Sequence, residues 1–504
     1  MRPAPILAWV LTLAVTSACD RSATFERPLD PSAGYALAHH AAWLLRGQHA
    51  LATLQPATMV QSRLALPAEP VQAFVSPAGD GLLIIDDGPG AQWVRFEANR
   101  VELGPRFALT GTYGEAWFAP EGDRVVLSLG AGGALSAPIA NPNQIALLDL
   151  DRGTHVERTL RSFGDRPRAI VVGPRASVAG AERQLVWALA DRYMAVFDLL
   201  APEAREVVVH LTLATDTRTV QPRQVVVGEV DGAYTAFVRA DAADDIFALS
   251  FPEASPADEV PKPYLNQLPG GQRPSDEVAV ALAEGTRVFA VEPSLPGLSI
   301  IDPVTGARLA VSAELPVQHI LAFEAPRPDD EAAIGHFALL WRTGSAGVVF
   351  ADLDRIEERR GRALTPLVLG GAIAALDPLP GRRMALARTS NQQLTVLDFD
   401  ARTATPLDLS ADLLDVLIDP TGARIYLRLA DAAVISLDAD TLTATSTEVL
   451  VGYESRLLLV PEAGRLVLSE PGDTIDVAVL PVTDLDEATP IVRHGLLLEG
   501  VLDR

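Results

Sequence analysis

Cys19 has the most specific potential chemistry in this 504-residue chain, because it is the only cysteine and follows a short apolar stretch, residues 6–15. Ser17 and Ala18 precede it, and such small residues fit a signal-peptidase cleft. The apolar stretch is well short of the ~20 residues that a bilayer span needs. Residues 1–18 are therefore predicted to be a signal peptide cleaved between Ala18 and Cys19. The thiol would then stand at the first mature position, where a diacylglycerol can be attached.

The residues before Cys19 resemble the bacterial lipobox, with Thr16 where that motif usually has an aliphatic residue. The resemblance implies an exported protein that is held in the cell envelope by lipid on Cys19, on the periplasmic face or at the cell surface. Asp20, by resemblance to enterobacterial lipoproteins, implies retention in the inner membrane. The alternative is an ordinary secretory signal ending at Ala18, with Cys19 left as a free thiol.

The charge balance is strongly acidic, with 65 Asp and Glu against 41 Lys and Arg. Such a balance argues against binding to nucleic acid and against electrostatic attachment to anionic lipid. A single cysteine also means that the fold relies on packing rather than on an internal disulfide. The membrane contact is therefore expected to run through the lipid alone.

Paired aspartates recur after apolar strands and could in principle bind calcium. The pairs are Asp149 with Asp151, Asp398 with Asp400, and Asp438 with Asp440. Because they stand at the same place in a repeat, we interpret them as turn residues whose carboxylates accept backbone N–H groups. A calcium loop with a glycine and a terminal glutamate is missing.

Histidines give a weaker indication of metal binding. Three lie near the N-terminus, His39, His40 and His49, but no carboxylate or cysteine at helical spacing completes a coordination sphere. Five more are far apart in the chain and could meet only through the tertiary fold: His155, His210, His319, His336 and His494. We therefore predict no metal ligands and no catalytic residues from the sequence.

The common catalytic motifs are absent from the sequence. It contains no Gly-x-Ser-x-Gly elbow, no His-Glu-x-x-His and no phosphate-binding Gly-Lys-Ser. No cofactor is predicted, although a divalent metal would be needed if the chain were a metal-dependent hydrolase.

A repeated unit dominates the rest of the chain: an apolar strand, a turn with Pro and Gly, and a second apolar strand. Five copies are plain, at residues 74–85, 118–127, 376–386, 418–427 and 460–468. Looser copies lie at residues 169–208, 224–251, 278–310 and 319–353. Proline presets one turn dihedral and glycine accepts the positive one, so each unit predicts a β-hairpin.

Each hairpin is followed by an apolar strand with an acidic turn, and then by a more polar fourth strand such as residues 441–450. Four antiparallel strands per period of about 40–50 residues are typical of a β-propeller blade. The repeats resemble those of bacterial surface propellers with Tyr-Val-Thr-Asn repeats and, more loosely, quinoprotein-like and Trp-Asp propellers. We predict an all-β fold with a single β-propeller of 7–8 blades, eight favoured, one of the nine hairpin signals belonging to a split or decorated blade.

The predicted domains are the signal peptide (1–18), a tether with a possible first strand or short helix (19–70), and the propeller (71–504). Tyr35 to Leu54 is the part of the tether that could form that helix or strand. The Pro-rich residues 252–274 are interpreted as a long loop between blades rather than as a linker between two β domains.

Two functions remain open. The first is a lipid-anchored, non-catalytic propeller that binds protein or glycan partners in the cell envelope. The alternative is a propeller enzyme, lactonase-like or another hydrolase, with a divalent metal at the central channel. Propeller lactonases and quinone-dependent dehydrogenases resemble the chain only in fold, and fold does not transfer an activity.

Overall fold

The computed structural model describes residues 32–129, 141–161, 166–211, 220–294, 296–330, 332–448, 456–469, 476–483, 485–486 and 488–493. The predicted signal peptide, Ala18, Cys19 and His494 lie outside these residues.

Over the described residues the chain is all-β and of the β-propeller class, with ten four-stranded sheets as blades. Every strand pair with a described register is antiparallel, as in β2 with β3 and β40 with β41 below. The strands of sheets 1 to 3 are β1 Tyr35–Ala36, β2 Ala41–Leu45, β3 Ala50–Gln55, β4 Val60–Ala65; β5 Pro70–Val75, β6 Gly81–Asp86, β7 Gly90–Glu97, β8 Arg100–Ala108; and β9 Glu115–Phe118, β10 Arg124–Ser128, β11 Gln144–Asp149, β12 Thr154–Thr159.

Sheet 4 contains an inserted hairpin between its first and second strands. Its strands are β13 Ala169–Val172, the hairpin β14 Ala176–Val178 and β15 Ala181–Arg183, then β16 Leu185–Leu189, β17 Met194–Asp198 and β18 Val207–Val209. Sheets 5 and 6 comprise β19 Gln221–Val230, β20 Ala233–Asp241, β21 Asp245–Ser250, β22 Tyr264–Pro269; and β23 Asp276–Leu282, β24 Gly285–Glu292, β25 Gly297–Ile301, β26 Arg308–Ser312.

Sheets 7 to 10 continue the same order. Their strands are β27 His319–Pro326, β28 Ile334–Trp341, β29 Gly347–Asp352, β30 Leu364–Val368; β31 Ala375–Pro378, β32 Met384–Ser390, β33 Gln393–Asp398, β34 Thr403–Asp408; β35 Leu413–Ile418, β36 Arg424–Leu429, β37 Ala433–Asp438, β38 Ala444–Glu448; and β39 Leu457–Val460, β40 Arg465–Ser469, β41 Val477–Pro481, β42 Ile491–Arg493. Between β29 and β30 lies a short helix, α1, Ile356–Arg359.

The predicted count of seven or eight blades is wrong. Each of the nine hairpin signals marks a separate sheet, and sheet 1 adds the tenth. The prediction discarded a signal because ordinary rings stop at about eight blades. No split blade occurs among the described strands, since each sheet is formed by strands that follow one another in the chain, apart from the hairpin inserted in sheet 4.

The Pro-Gly turns form as predicted. Glycine has a positive φ in all five plain copies, at Gly79, Gly122, Gly381, Gly422 and Gly464. At Gly422 the need for glycine is twofold, because φ is +68° and a Cβ would overlap the carbonyl oxygen of Pro380. These turns join the first two strands of their sheets.

Sheet 1 is formed by part of the predicted tether. Residues 35–65 form four strands, so the strand alternative for Tyr35 to Leu54 is correct and the helix alternative is not. Its buried face packs on sheet 10, where Trp43 Nε1 donates to Ser469 Oγ at 3.2 Å. The sheets therefore begin at Tyr35, earlier than the predicted boundary at 71, because sheet 1 lacks the Pro-Gly turn used to recognise the others.

Residues 252–274 do not form a loop between blades. Residues 251–263 connect β21 to β22 inside sheet 5, and Tyr264–Pro269 is β22 itself. Proline at both ends of a connection suggested a boundary between sheets, but β22 tolerates Pro269 at its last position on an edge strand.

Apolar clusters lie between neighbouring sheets and form the core. They join sheets 1 and 2, 3 and 4, 4 and 5, 5 and 6, 6 and 7, 7 and 8, and 10 and 1. The second and third strands are the most buried, as in β6 with β7 and β16 with β17. Most first strands are only half-buried, as in β9 and β13, whereas β39 is mostly buried.

Contacts between Cα atoms divide the chain into two compact units. One comprises Met1–Thr112, Ala432–Val434 and Thr445–Arg504, and contains sheets 1, 2 and 10. The other comprises Tyr113–Asp431 and Ile435–Ala444, and contains sheets 3 to 8 and most of sheet 9. Helices in the described part of the chain are short, and none of them could span a membrane.

Candidate functional site

The first strands of sheets 6 and 7, β23 and β27, border a groove of about 250 Å³. Its lining residues are Ala279, Val280, Ala281, Ala322, Phe323, Glu324 and His336. Alternation along β23 turns Val280 into the core between the two sheets. Ala322, on the facing side of β27, leaves space that a larger side chain would fill.

His336 is held in one orientation at this groove. Its Nδ1 is 2.9 Å from Asp354 Oδ1, and its backbone N–H donates to Asp354 Oδ2 at 2.8 Å. Strand pairing places His336 opposite Glu324, and the imidazole Nε2 is 3.9 Å from Glu324 Oε1. When Nδ1 carries the proton that Asp354 accepts, the lone pair of the neutral ring is on Nε2.

Asp354 is itself fixed by a basic side chain. It lies in the turn Leu353–Arg355 after β29, and Arg327 forms an ion pair with it. Arg327 also lies 3.9 Å from Asp352. Burial raises the pKa of Asp352, because the opposing effect of Arg327 and Arg355 is weaker. The negative charge behind His336 is thus compensated, whereas Glu324 has a side chain that is 69% exposed at the groove.

The other ends of β23 and β27 carry a second polar cluster. Asp276 accepts hydrogen bonds from Gln224 Nε2 at 2.8 Å and from the backbone N–H of Ile320 at 3.0 Å. His319 Nδ1 is 3.9 Å from Asp276, and its ring lies against Trp341 with centroids 5.2 Å apart. These bonds join sheets 5, 6 and 7, so we assign the cluster a structural role.

Glu277 is the most unusual ionisable group beside this cluster. It is completely buried, and neither carboxyl oxygen has a hydrogen-bond partner. Burial raises the pKa of Glu277 to about 8, and nearby Arg239 opposes that effect only in part. The carboxyl is therefore mostly protonated at neutral pH.

The turn interpretation of the paired aspartates is confirmed. Asp149 accepts from the backbone N–H of Arg152 at 2.9 Å, and Asp398 accepts from those of Asp400 and Ala401 at 2.9 Å. Asp438 accepts from Asp440 and Thr441. The second aspartates of the last two pairs bind arginines, Arg383 in one case and Arg382 in the other.

The fold does not gather the described histidines into one site. His319 and His336 share the β27–β28 ladder but lie at opposite ends, roughly 17 Å apart at about 3.4 Å per residue. His40 is buried against Phe96, and burial lowers its pKa. Three further histidines lie elsewhere in the described part of the chain. His49 is beside Glu69, His155 lines a small pocket beside sheet 4, and His210 is against Tyr193.

Asp354, Glu324 and Glu277 were not found from the sequence. A signal for Asp354 existed, because Asp352-Leu353-Asp354 follows an apolar strand just as the other paired aspartates do. Glu324 and Glu277 carry no such pattern. Among the described residues, no group of three or more His, Cys, Asp or Glu side chains could hold a metal ion.

Comparison with known proteins identifies no family. No family model matches the chain, and no curated protein matches it. Similar solved structures include dihydro-heme d1 dehydrogenase NirN in complex with DHE, with 12% identity over 83% of this chain and 74% of that chain and a TM-score of 0.41. Apo AztD from Citrobacter koseri has 10% identity over 83% and 96%, with a TM-score of 0.38.

A chain of a mitotic checkpoint complex is similar at 10% identity over 63% of this chain and 84% of that chain, with a TM-score of 0.35. Identities of 10–12% and TM-scores below 0.5 transfer no activity and no ligand from these structures to this chain.

Proposed function

We propose that the chain is an exported β-propeller, anchored in the cell envelope by lipid on Cys19, that acts as a non-catalytic binding module for a protein or glycan partner. The observation that carries the binding role is the groove between β23 and β27. It combines an apolar wall with two polar side chains whose positions are set by strand pairing. Binding sites are commonly concave, mostly apolar surfaces with a few fixed polar groups.

The structural use of charged side chains supports this proposal. The aspartates that could have formed reactive pairs cap turns or bind arginines. Asp276 joins three sheets through hydrogen bonds. These bonds hold sheets 5 to 7 together beside the groove, and a pre-organised surface loses less entropy on binding a partner.

Anchoring is tested by metabolic labelling with an alkyne fatty acid. The wild-type chain should be labelled and should sediment with membranes. The Cys19→Ser variant should not be labelled and should not sediment with membranes. If the Cys19→Ser variant is labelled like wild type, the lipid is not on Cys19.

Partner binding is tested with a photo-crosslinking amino acid at Ala281 in the groove. The control position is Val304, which is 57% exposed on a turn of the same sheet. A partner of the groove should crosslink at position 281 and not at 304, in intact cells. Equal products at both positions would contradict a specific site.

The second candidate is a propeller hydrolase, and the pairing of His336 with Asp354 favours it. A histidine oriented by a carboxylate, with Nε2 at a groove, has the geometry of a general base. An enzyme of this kind should hydrolyse a lactone or ester series, and Asp354→Asn should slow it. Stoichiometric metal in protein purified without chelator, with a lower melting temperature after chelation, would favour the metal-dependent form.

A further inference from the structure

When the single ring proton of His336 is on Nδ1, the two polar side chains of the groove offer only acceptors to a ligand. With the Nδ1 proton of His336 donated to Asp354, Nε2 presents a lone pair, and the Glu324 carboxylate presents oxygens. A ligand that satisfies both must therefore supply donors, and the exposed carboxylate favours a positive charge. The net charge of −24 over the chain also attracts cations towards the protein.

The spacing of these acceptors distinguishes between kinds of cation. For an ammonium nitrogen ~2.8 Å from both acceptors, the Nε2···N···Oε1 angle would be roughly 90°. This is about 20° below the tetrahedral angle between two N–H bonds of the ammonium. A zinc ion at ~2.0–2.1 Å from both would need an angle of about 145°, far from tetrahedral. The separation of 3.9 Å thus suits an ammonium group better than a metal ion.

The walls of the groove specify what is attached to the ammonium. Val280 and Ala322 pack in the cluster between sheets 6 and 7, so their aliphatic side chains form the apolar wall of the groove. A short aliphatic chain can be buried along these residues. A volume of about 250 Å³ accommodates one such chain.

We propose that the groove binds a primary ammonium group on a short alkyl chain, presented as a lysine side chain by the partner protein. This inference rests on the proposed binding function and names the chemistry of the partner. Glu324 and His336 bind the ammonium, and Val280 and Ala322 contact the methylene groups.

The test uses Nα-acetyl-lysine methylamide as the probe, titrated into the mature chain and followed by ligand-detected NMR. The norleucine analogue, which lacks the ammonium, should bind at least ten-fold more weakly. Glu324→Gln should weaken lysine-probe binding by about two- to five-fold, as expected for an exposed ion pair. Ala322→Leu, which fills the groove, should weaken it by about ten-fold.

Glu253→Gln is the matched control, since Glu253 is an exposed glutamate in the connection between β21 and β22. It should bind the probe like wild type, and all variants should keep the wild-type melting temperature. Equal binding of the norleucine analogue, unchanged probe binding by the Ala322→Leu variant, stronger binding of the arginine analogue, or displacement of the probe by equimolar Zn²⁺ would overturn the inference. A partner crosslinked at position 281 without binding of the lysine probe would retain the binding function and refute only the lysine assignment.

Discussion

At the scale of single residues, Arg183 shows how one buried charge holds a loop in place. Its side chain is completely buried and lies 3.3 Å from Asp198 Oδ2. The guanidinium also donates to backbone carbonyls, those of Val178, Ser255, Pro256 and Glu259. Arg183 therefore ties the long connection between β21 and β22 to sheet 4.

Arg183→Ala should destabilise the protein by about 3–5 kcal/mol, because it leaves Asp198 buried without its cation. Thermal unfolding measures the loss. Limited proteolysis should also show faster cleavage within residues 251–263, which lose their anchor. Arg152→Ala is the control: its side chain is 77% exposed, and its removal should change stability by less than about 0.5 kcal/mol. An unchanged cleavage pattern in Arg183→Ala would refute the anchoring role.

Glu277 makes stability depend on pH. Because burial raises its pKa to about 8, the folded chain retains a proton that the unfolded chain releases near the ordinary value for glutamate. Stability from this group is therefore lost as pH rises between those two values and levels off above about pH 8.

Glu277→Gln should remove this dependence, since the amide does not ionise. Thermal melts between about pH 5 and 9 should show that stability declines less steeply with pH in the variant than in the wild type. At the alkaline end the variant should be more stable by on the order of a few kcal/mol. The surface substitution Glu253→Gln should follow the wild-type curve. A wild-type stability that rises from about pH 5 to 8 in parallel with Glu277→Gln would contradict the prediction.

At the scale of elements, one carboxylate stabilises the turn between the third and fourth strands in sheets 3, 8 and 9. Asp438 accepts from two backbone N–H groups and from Thr441 Oγ1 at 3.0 Å. The hydrogen bonds from Thr441 and Asp440 lower the pKa of Asp438. The contribution of this group is present above the ordinary pKa of aspartate and is lost in acid.

Asp438→Ala should cost about 1 kcal/mol, the usual value of such hydrogen bonds. Asp438→Asn should retain most of the stability, because an asparagine oxygen accepts the same bonds. Chemical unfolding at neutral pH compares the three proteins. Equal losses in both variants would show that charge, and not turn geometry, is what matters.

At the scale of the whole molecule, sheet 1 is an integral part of the fold. Its strands bury Trp43, Leu45 and Leu54 against sheet 10, and a further apolar cluster joins it to sheet 2. Removing it would expose apolar faces of both neighbours to water.

A truncated chain that starts at Ser32 should melt like the mature protein. One that starts at Pro70 lacks sheet 1 and should melt lower and aggregate. Differential scanning fluorimetry and soluble yield distinguish the two. Equal melting temperatures would mean that sheet 1 is dispensable.

Fold class followed from local patterns. Pro-Gly turns between apolar strands and aspartates after third strands act within a few residues of their own positions, so their outcome could be read from the sequence. The number of blades could not be read from the sequence. Sheet 1 has neither the Pro-Gly turn nor the aspartate after its third strand, and it is stabilised by its contacts with sheets 2 and 10.

The groove depends on residues far apart in the chain. Ala281, Glu324 and Asp354 meet because β23 lies beside β27 and the turn after β29 returns to His336. Hydrophobic periodicity specifies that a strand forms and which face it buries, since these are short-range properties. Which strand becomes its neighbour depends on the packing of whole sheets, and only the folded chain brings an acceptor pair and an apolar wall together.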